Sequence, residues 1–119
     1  RTDGTFYGAL HVLYRGLIEK YVGKTIVIMT PTHRLAPFGM EGDDYTPHPD
    51  TGKNLLDYVN AEKEVAEYYG LKVLDLFKEL KLNPIIPIIK DTYMNDGLHP
   101  SGAGHKLIAN AVISFMRKL

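Results

Sequence analysis

The 119-residue chain has room for one domain, since domains most often run to about 100–150 residues, and a second core is excluded. Its 45% hydrophobic and 10% aromatic content can supply that one core, which argues against disorder. Fourteen basic residues cancel fourteen acidic ones, no Lys/Arg run exceeds two, and no apolar run approaches the roughly 20 residues of a bilayer span. Neither nucleic acid nor a membrane span is therefore expected.

The chain has no cysteine, so disulfides, thiolate metal sites and a cysteine nucleophile are all excluded. The start, Arg-Thr-Asp-Gly, has neither an initiator Met nor an apolar leader and reads as processed, trimmed or excised. It gives no signal of compartment, and a cytoplasmic location is the expectation.

Thr5 can cap a first helix, whose apolar residues Phe6, Leu10, Leu13, Leu17 and Tyr21 recur at helical spacing before a stop at Gly23. Residues 25–30, Thr-Ile-Val-Ile-Met-Thr, are β-branched and apolar on both faces, as in a strand covered on both sides in a parallel sheet. Residues 31–53 carry four prolines and three glycines and predict a long loop, of the kind that is often functional.

Asn54, with Asp57 in the first turn, caps a second helix with inner face Leu55, Tyr58, Val59, Val65, Ala66 and Tyr69. Residues 72–76 form a second strand, so the order is a βαβ unit with parallel strands. A short helical turn at 76–82 and a Pro-punctuated connection lead to Asp96-Gly-Leu-His99-Pro100. Ser101 then caps a last helix, with face Leu107, Ile108, Ala111, Val112 and Phe115. The fold class is α/β, with two parallel strands and three main helices. Two strands are too few for a parallel sheet covered on both faces, so a neighbour of strand 26–29 is missing.

Ligands of open parallel sheets bind beyond the carboxyl ends of the strands, where the segments after Thr30 and Leu76 and the turn 96–100 should converge. An Asp and a His three apart in that turn can pair so that one imidazole nitrogen is held by the carboxylate and the other is left as an acceptor. That is the arrangement of an oriented general base. An Asp-Gly turn followed by His-Pro is an equally good structural reading. The nucleophile is the difficulty. Of the two serines, Ser101 is placed to cap a helix and Ser114 lies far along it. His33 and Arg34 follow the first strand and could line a substrate cleft. The acidic residues Asp43, Asp44 and Asp50, with His48, read as a solvated loop without metal-ligand spacing, and His105 as a packing or surface residue.

The block Asp96-Gly-Leu-His99-Pro-Ser-Gly-Ala-Gly-His105, leading into an Ile/Ala-rich helix, resembles the last conserved block of the SGNH (GDSL-type) serine esterases and lipases. The order of the other elements is similar to that family's C-terminal half. The resemblance implies a three-layer, flavodoxin-like α/β/α sandwich, of which this chain holds the last two strands. It makes His99 the general base and Asp96 its orienting carboxylate. The family's nucleophilic Gly-Asp-Ser block, oxyanion Gly and Gly-x-Asn-Asp block have no counterpart here. The expectation is thus the C-terminal portion of a serine ester hydrolase, inactive alone, acting when complete on a small-molecule ester such as a lipid, an acetylated sugar or a short acyl ester. No metal or organic cofactor is implied. Self-association, or association with a missing N-terminal part, is expected. The alternative is a non-catalytic flavodoxin-like module that binds a small molecule or protein at the same strand ends.

Overall fold

In the computed structural model, residues 5–36 and 43–119 are described, so the Arg-Thr-Asp-Gly start and the Pro37, Gly39 and Gly42 part of the long loop lie outside the described residues. Thr5 opens α1 (Phe6–Lys20): its hydroxyl accepts the Gly8 N–H at 2.9 Å, satisfying a donor that a helix start leaves open. The inner face of α1 departs from the sequence expectation. Leu10 and Tyr14 are buried with Tyr7 beside them, whereas Leu13 is 54% exposed and Phe6 and Tyr21 also face outward. The partner decides this, because Leu10 and Tyr14 meet Ala61, Val65 and Ala66 of α2 (Leu55–Tyr68), where small side chains let the helices approach. Burial, and then the Glu62 charge, push the Tyr14 phenol up to about 12, so it stays neutral in the core.

The start of α2 is a reciprocal cap. The Asn54 side chain accepts from Asp57 N–H at 2.9 Å, and the Asp57 carboxylate accepts from Asn54 N–H at 3.0 Å. On either side of α2 in the sequence run β1 (Val27–Met29) and β2 (Lys72–Leu74), parallel, with Val27 opposite Lys72, Ile28 opposite Val73 and Met29 opposite Leu74. Both strands are shorter than the apolar runs suggested. β1 is not fully buried on either face: Ile28 packs on the α1–α2 core but is, like Val27, only half-buried, and Met29 is 48% exposed. The expectation of a strand buried on both sides is corrected accordingly.

Beyond β2 lie α3 (Leu76–Glu79), in the expected short helical turn, α4 (Pro87–Tyr93) and α5 (Gly102–Met116), so that the described residues hold the three main helices expected and two short ones. The segment read as a plain connection contains α4, which begins with Pro87 at its first position, where a missing N–H does no harm. Ser101 caps α5 as expected, accepting the Gly104 N–H at 3.2 Å. The apolar stripe of α5, Leu107, Ile108, Ala111, Val112 and Phe115, is only half-buried, because the main neighbour of α5 is α4 and not the sheet.

That contact depends on Gly104. A Cβ there would lie 2.5 Å from the Tyr93 carbonyl oxygen and 3.0 Å from Pro100 Cβ. Gly104→Ala is therefore expected to lower the urea midpoint by an amount equivalent to about 1–3 kcal/mol, typical of overpacking against backbone. An unchanged midpoint would show that α5 can shift off α4 freely.

The molecule is a slab measuring 43 × 38 × 17 Å. Its radius of gyration, 15.6 Å, exceeds the roughly 13.5 Å of a compact domain of this length. Its accessible area of 7781 Å² exceeds the roughly 6,500 Å² expected for 13.4 kDa. Large apolar side chains are exposed at several places on the slab, among them Met29 of β1, Val12 and Leu13 of α1, Ile88 of α4 and Ile113 of α5. No helix among the described residues is long and apolar enough to cross a membrane.

Candidate functional site

Thr30, just past β1, ties the two strand ends together. Its N–H donates to Leu74 O at 3.1 Å, its hydroxyl donates to Asp75 Oδ1 at 3.0 Å, and the same hydroxyl accepts the buried Phe77 N–H at 3.1 Å. Asp75 also caps α3 through Lys78 N–H and pairs with Lys63 Nζ at 2.8 Å. Burial alone would raise the Asp75 carboxyl, but the Lys63, Lys78 and Thr30 donors together hold it below its usual value.

Two expected results follow. Thr30→Val keeps the shape but orphans the buried Phe77 N–H, which should destabilise by about 1–3 kcal/mol in a denaturant titration. Lys63→Met should destabilise by less than about 1 kcal/mol at pH 7, since Lys63 is 40% exposed. A carboxyl with a lowered folded pKa contributes stability above its unfolded value of about 3.9 and loses it as pH falls through the folded value. The gap between the wild type and Lys63→Met should therefore close below about pH 4, and a gap that persists there would discount the ion pair.

The loop after Thr30 then turns across the strand ends. His33 Nδ1 lies 2.7 Å from Asp44 Oδ2, and the His33 ring rests on the Phe77 ring with centroids 3.9 Å apart. Asp44 Oδ1 accepts the Arg34 N–H at 2.8 Å. Asp44 is only 3% exposed. The reading of this stretch as a solvated acidic loop is thus corrected at Asp44, whose partner lies eleven positions away and left no local signal. Asp43 sits nearer the surface. Its carboxyl is lowered despite partial burial, by Thr46 and Tyr45 N–H donors and the Arg34 charge. Arg34 lines a pocket of about 320 Å³ with His48, Lys53, Asn54 and Tyr58. His48 Nδ1 accepts the Asp50 N–H at 3.0 Å. Among the described residues no three His, Asp or Glu side chains are grouped to hold a metal.

The Asp96–His99 turn is clamped between α4 and α5. Gly97 N–H donates to Met94 O at 2.7 Å, and Lys90 Nζ donates to Asn95 O at 2.9 Å. On the other side, Ser101 N–H donates to Tyr93 O at 2.7 Å and Ser101 Oγ to Thr92 O at 3.0 Å. Gly97 has φ +78°, which favours glycine, and its carbonyl accepts Leu35 N–H at 2.7 Å. Through that bond the loop after β1 meets the turn, and through Phe77 it meets the segment after β2.

Within the turn, Asp96 Oδ1 accepts the Leu98 and His99 N–H groups at 2.8 and 2.7 Å, while Oδ2 lies 2.5 Å from His99 Nδ1. The His99 side chain first, then these two backbone donors, hold the Asp96 carboxyl far below its usual value. With Nδ1 facing a carboxylate the ring carries its proton there, leaving Nε2 as an acceptor. Nε2 has no hydrogen-bond partner among the described residues, and the His99 side chain is 72% exposed. Ser101 Oγ is committed to the cap and to Thr92 O, and Ser114 and His105 are exposed on α5. The His99 ring therefore has no serine beside it from the described residues.

No protein-family model and no curated protein matches the chain. Solved structures do. A Lactobacillus plantarum protein is 30% identical over 96% of the chain, with TM-score 0.86. The lipase/acylhydrolase from Enterococcus faecalis is 21% identical over 98% with TM-score 0.63, and a possible lipase from Chitinophaga pinensis is 19% identical over 99% with TM-score 0.67. The chain has an α/β fold similar to that of these structures. It spans 54%, 52% and 62% of the lengths of these three proteins.

Proposed function

We propose that the chain supplies the His–Asp part of a catalytic triad to a serine ester hydrolase of the SGNH type, as the C-terminal portion of its three-layer α/β/α domain. The observation that carries this reading is the Asp96–His99 pair: a carboxylate fixed by two backbone N–H groups, an imidazole held by Nδ1, and Nε2 open at the surface. The shared fold with lipase/acylhydrolase proteins supports it. So does the uncovered area of the slab, which suits a second segment bearing the remaining strands.

In the assembled enzyme a serine from that segment gives its hydroxyl proton to His99 Nε2 as its oxygen bonds to the acyl carbonyl carbon. Asp96 holds the imidazolium so formed. The proton passes to the departing alcohol as the ester C–O bond breaks, and water, deprotonated in turn by His99, releases the acid. His33 and Arg34, at the same strand ends, are the proposed substrate-binding residues.

The test is an assay on short acyl p-nitrophenyl esters. The chain alone should be inert, whereas the reading frame extended upstream to include a serine elbow should turn over and lose turnover on His99→Ala. Activity of the chain alone that disappears with His99→Ala would overturn the shared-site reading. Inactivity of the extended protein toward every acyl length would overturn the hydrolase reading.

A further inference from the structure

Asp44 is a nearly buried carboxylate that the proposed chemistry does not use. Burying a carboxylate is unfavourable unless donors satisfy it, and here each oxygen holds part of one short segment. Oδ2 takes the His33 ring and Oδ1 takes the Arg34 N–H, while the Asp44 carbonyl accepts Leu56 N–H at 3.1 Å, anchoring the residue to the first turn of α2. The Phe77 ring backs the His33 ring.

One residue beyond Arg34, the Leu35 N–H reaches the carbonyl of Gly97, inside the turn that carries Asp96 and His99. The Leu35 side chain also presses on that glycine: a Cβ at position 97 would lie 3.1 Å from Leu35 Cβ. An unbroken line of contacts thus runs from α2 through Asp44 and the 33–35 segment to the turn.

We propose that Asp44 is a positioning residue for the Asp96–His99 pair, acting through Leu35 and Gly97. The inference rests on reading Asp96 and His99 as the acid–base pair, but its test does not need activity. In the 119-residue chain, two quantities report the coupling. One is hydrogen exchange at the Leu35 amide. The other is the fraction of the neutral His99 ring protonated at Nδ1, read from imidazole ¹⁵N shifts.

Asp44→Ala should speed Leu35 exchange at least tenfold and move His99 toward the Nε2–H tautomer, with the Val65 and Ala66 amides of the core unchanged. Asp44→Asn can still accept from Arg34 N–H and can donate to a His33 ring whose tautomer has switched. It should stay within about threefold of wild type at Leu35 and leave His99 unchanged. Should the Ala variant fail to fold, His33→Phe keeps a ring on Phe77, removes only the Nδ1 contact, and should speed Leu35 exchange several-fold. Leu35 and His99 signals indifferent to Asp44→Ala, or a Leu35 signal indifferent to His33→Phe where the Ala variant does not fold, would overturn the proposal. Core amides accelerating in step with Leu35 would also overturn it, because Asp44 would then hold the whole fold. If the extended protein proved inert toward esters while these responses persisted, the hydrolase reading would fall and the coupling would stand.

Discussion

Replacing His99 by Ala in the proposed hydrolase is expected to lower kcat by about 10⁴-fold or more while leaving the fold intact. The size follows from the role: without an acceptor at Nε2 the serine keeps its proton, and the leaving alcohol receives none. The intact fold follows from exposure. With 72% of the His99 side chain in solvent, truncation opens no cavity and orphans no buried group. Asp96→Asn should cost a similar factor, because an amide can donate to Nδ1 and turn the ring to the wrong tautomer. A carboxyl with a lowered folded pKa keeps its orienting charge above the usual carboxylate range and gives it up only as pH falls well below it, so mild acid should not release His99 from Asp96. Measured kcat within a few-fold of wild type in His99→Ala would remove the catalytic assignment.

What the sequence made legible was local. The caps at Thr5, Asn54 and Ser101 each join groups within three residues, and Asp96 and His99 are three apart, so spacing alone announces them. Asp44 and His33 are eleven apart, across a loop with no periodic signal, and their pairing emerges only once β1 and α2 fix the ends of that loop. The α4 segment was hidden by its composition. Ile85-Ile86-Pro87-Ile88-Ile89 reads as an interrupted apolar run, yet the proline sits where it can start a helix. In α1 the period was right and the face shifted: Leu10 is buried as expected, but Tyr14 takes the core position in place of Leu13, because a partner helix with alanines receives it. The stripe of α5 has the expected pattern but is only half-buried, since burial needs a second surface and the described residues do not provide a full one.

That uncovered surface sets the second large effect, which is on association. Among the described residues β1 pairs with β2 alone. Its other side is a sheet edge among those residues, beside the exposed Met29, and such edges recruit further strands. The area above that of a compact domain is roughly 1,300 Å², more than the approximately 800 Å² that each partner buries in a standard interface. The chain should therefore not persist as a monomer at micromolar concentration. It should self-associate through β1 and α5, or combine with a segment that supplies the adjoining strand. Met29→Lys places a charge on the outer face, away from the Ile28 side that packs on α1 and α2, so it should shift the population toward monomer at least tenfold while retaining helical signal. Val27→Lys, at the start of the same strand, should weaken association and folding together. Substitutions at Tyr45 or Pro49 in the long loop should change neither. Sedimentation equilibrium with native mass measurement decides it: a cooperative 13.4 kDa monomer with nothing bound would show that the free edge of β1 and the stripe of α5 are tolerated as they stand, and would withdraw the second-segment reading with them.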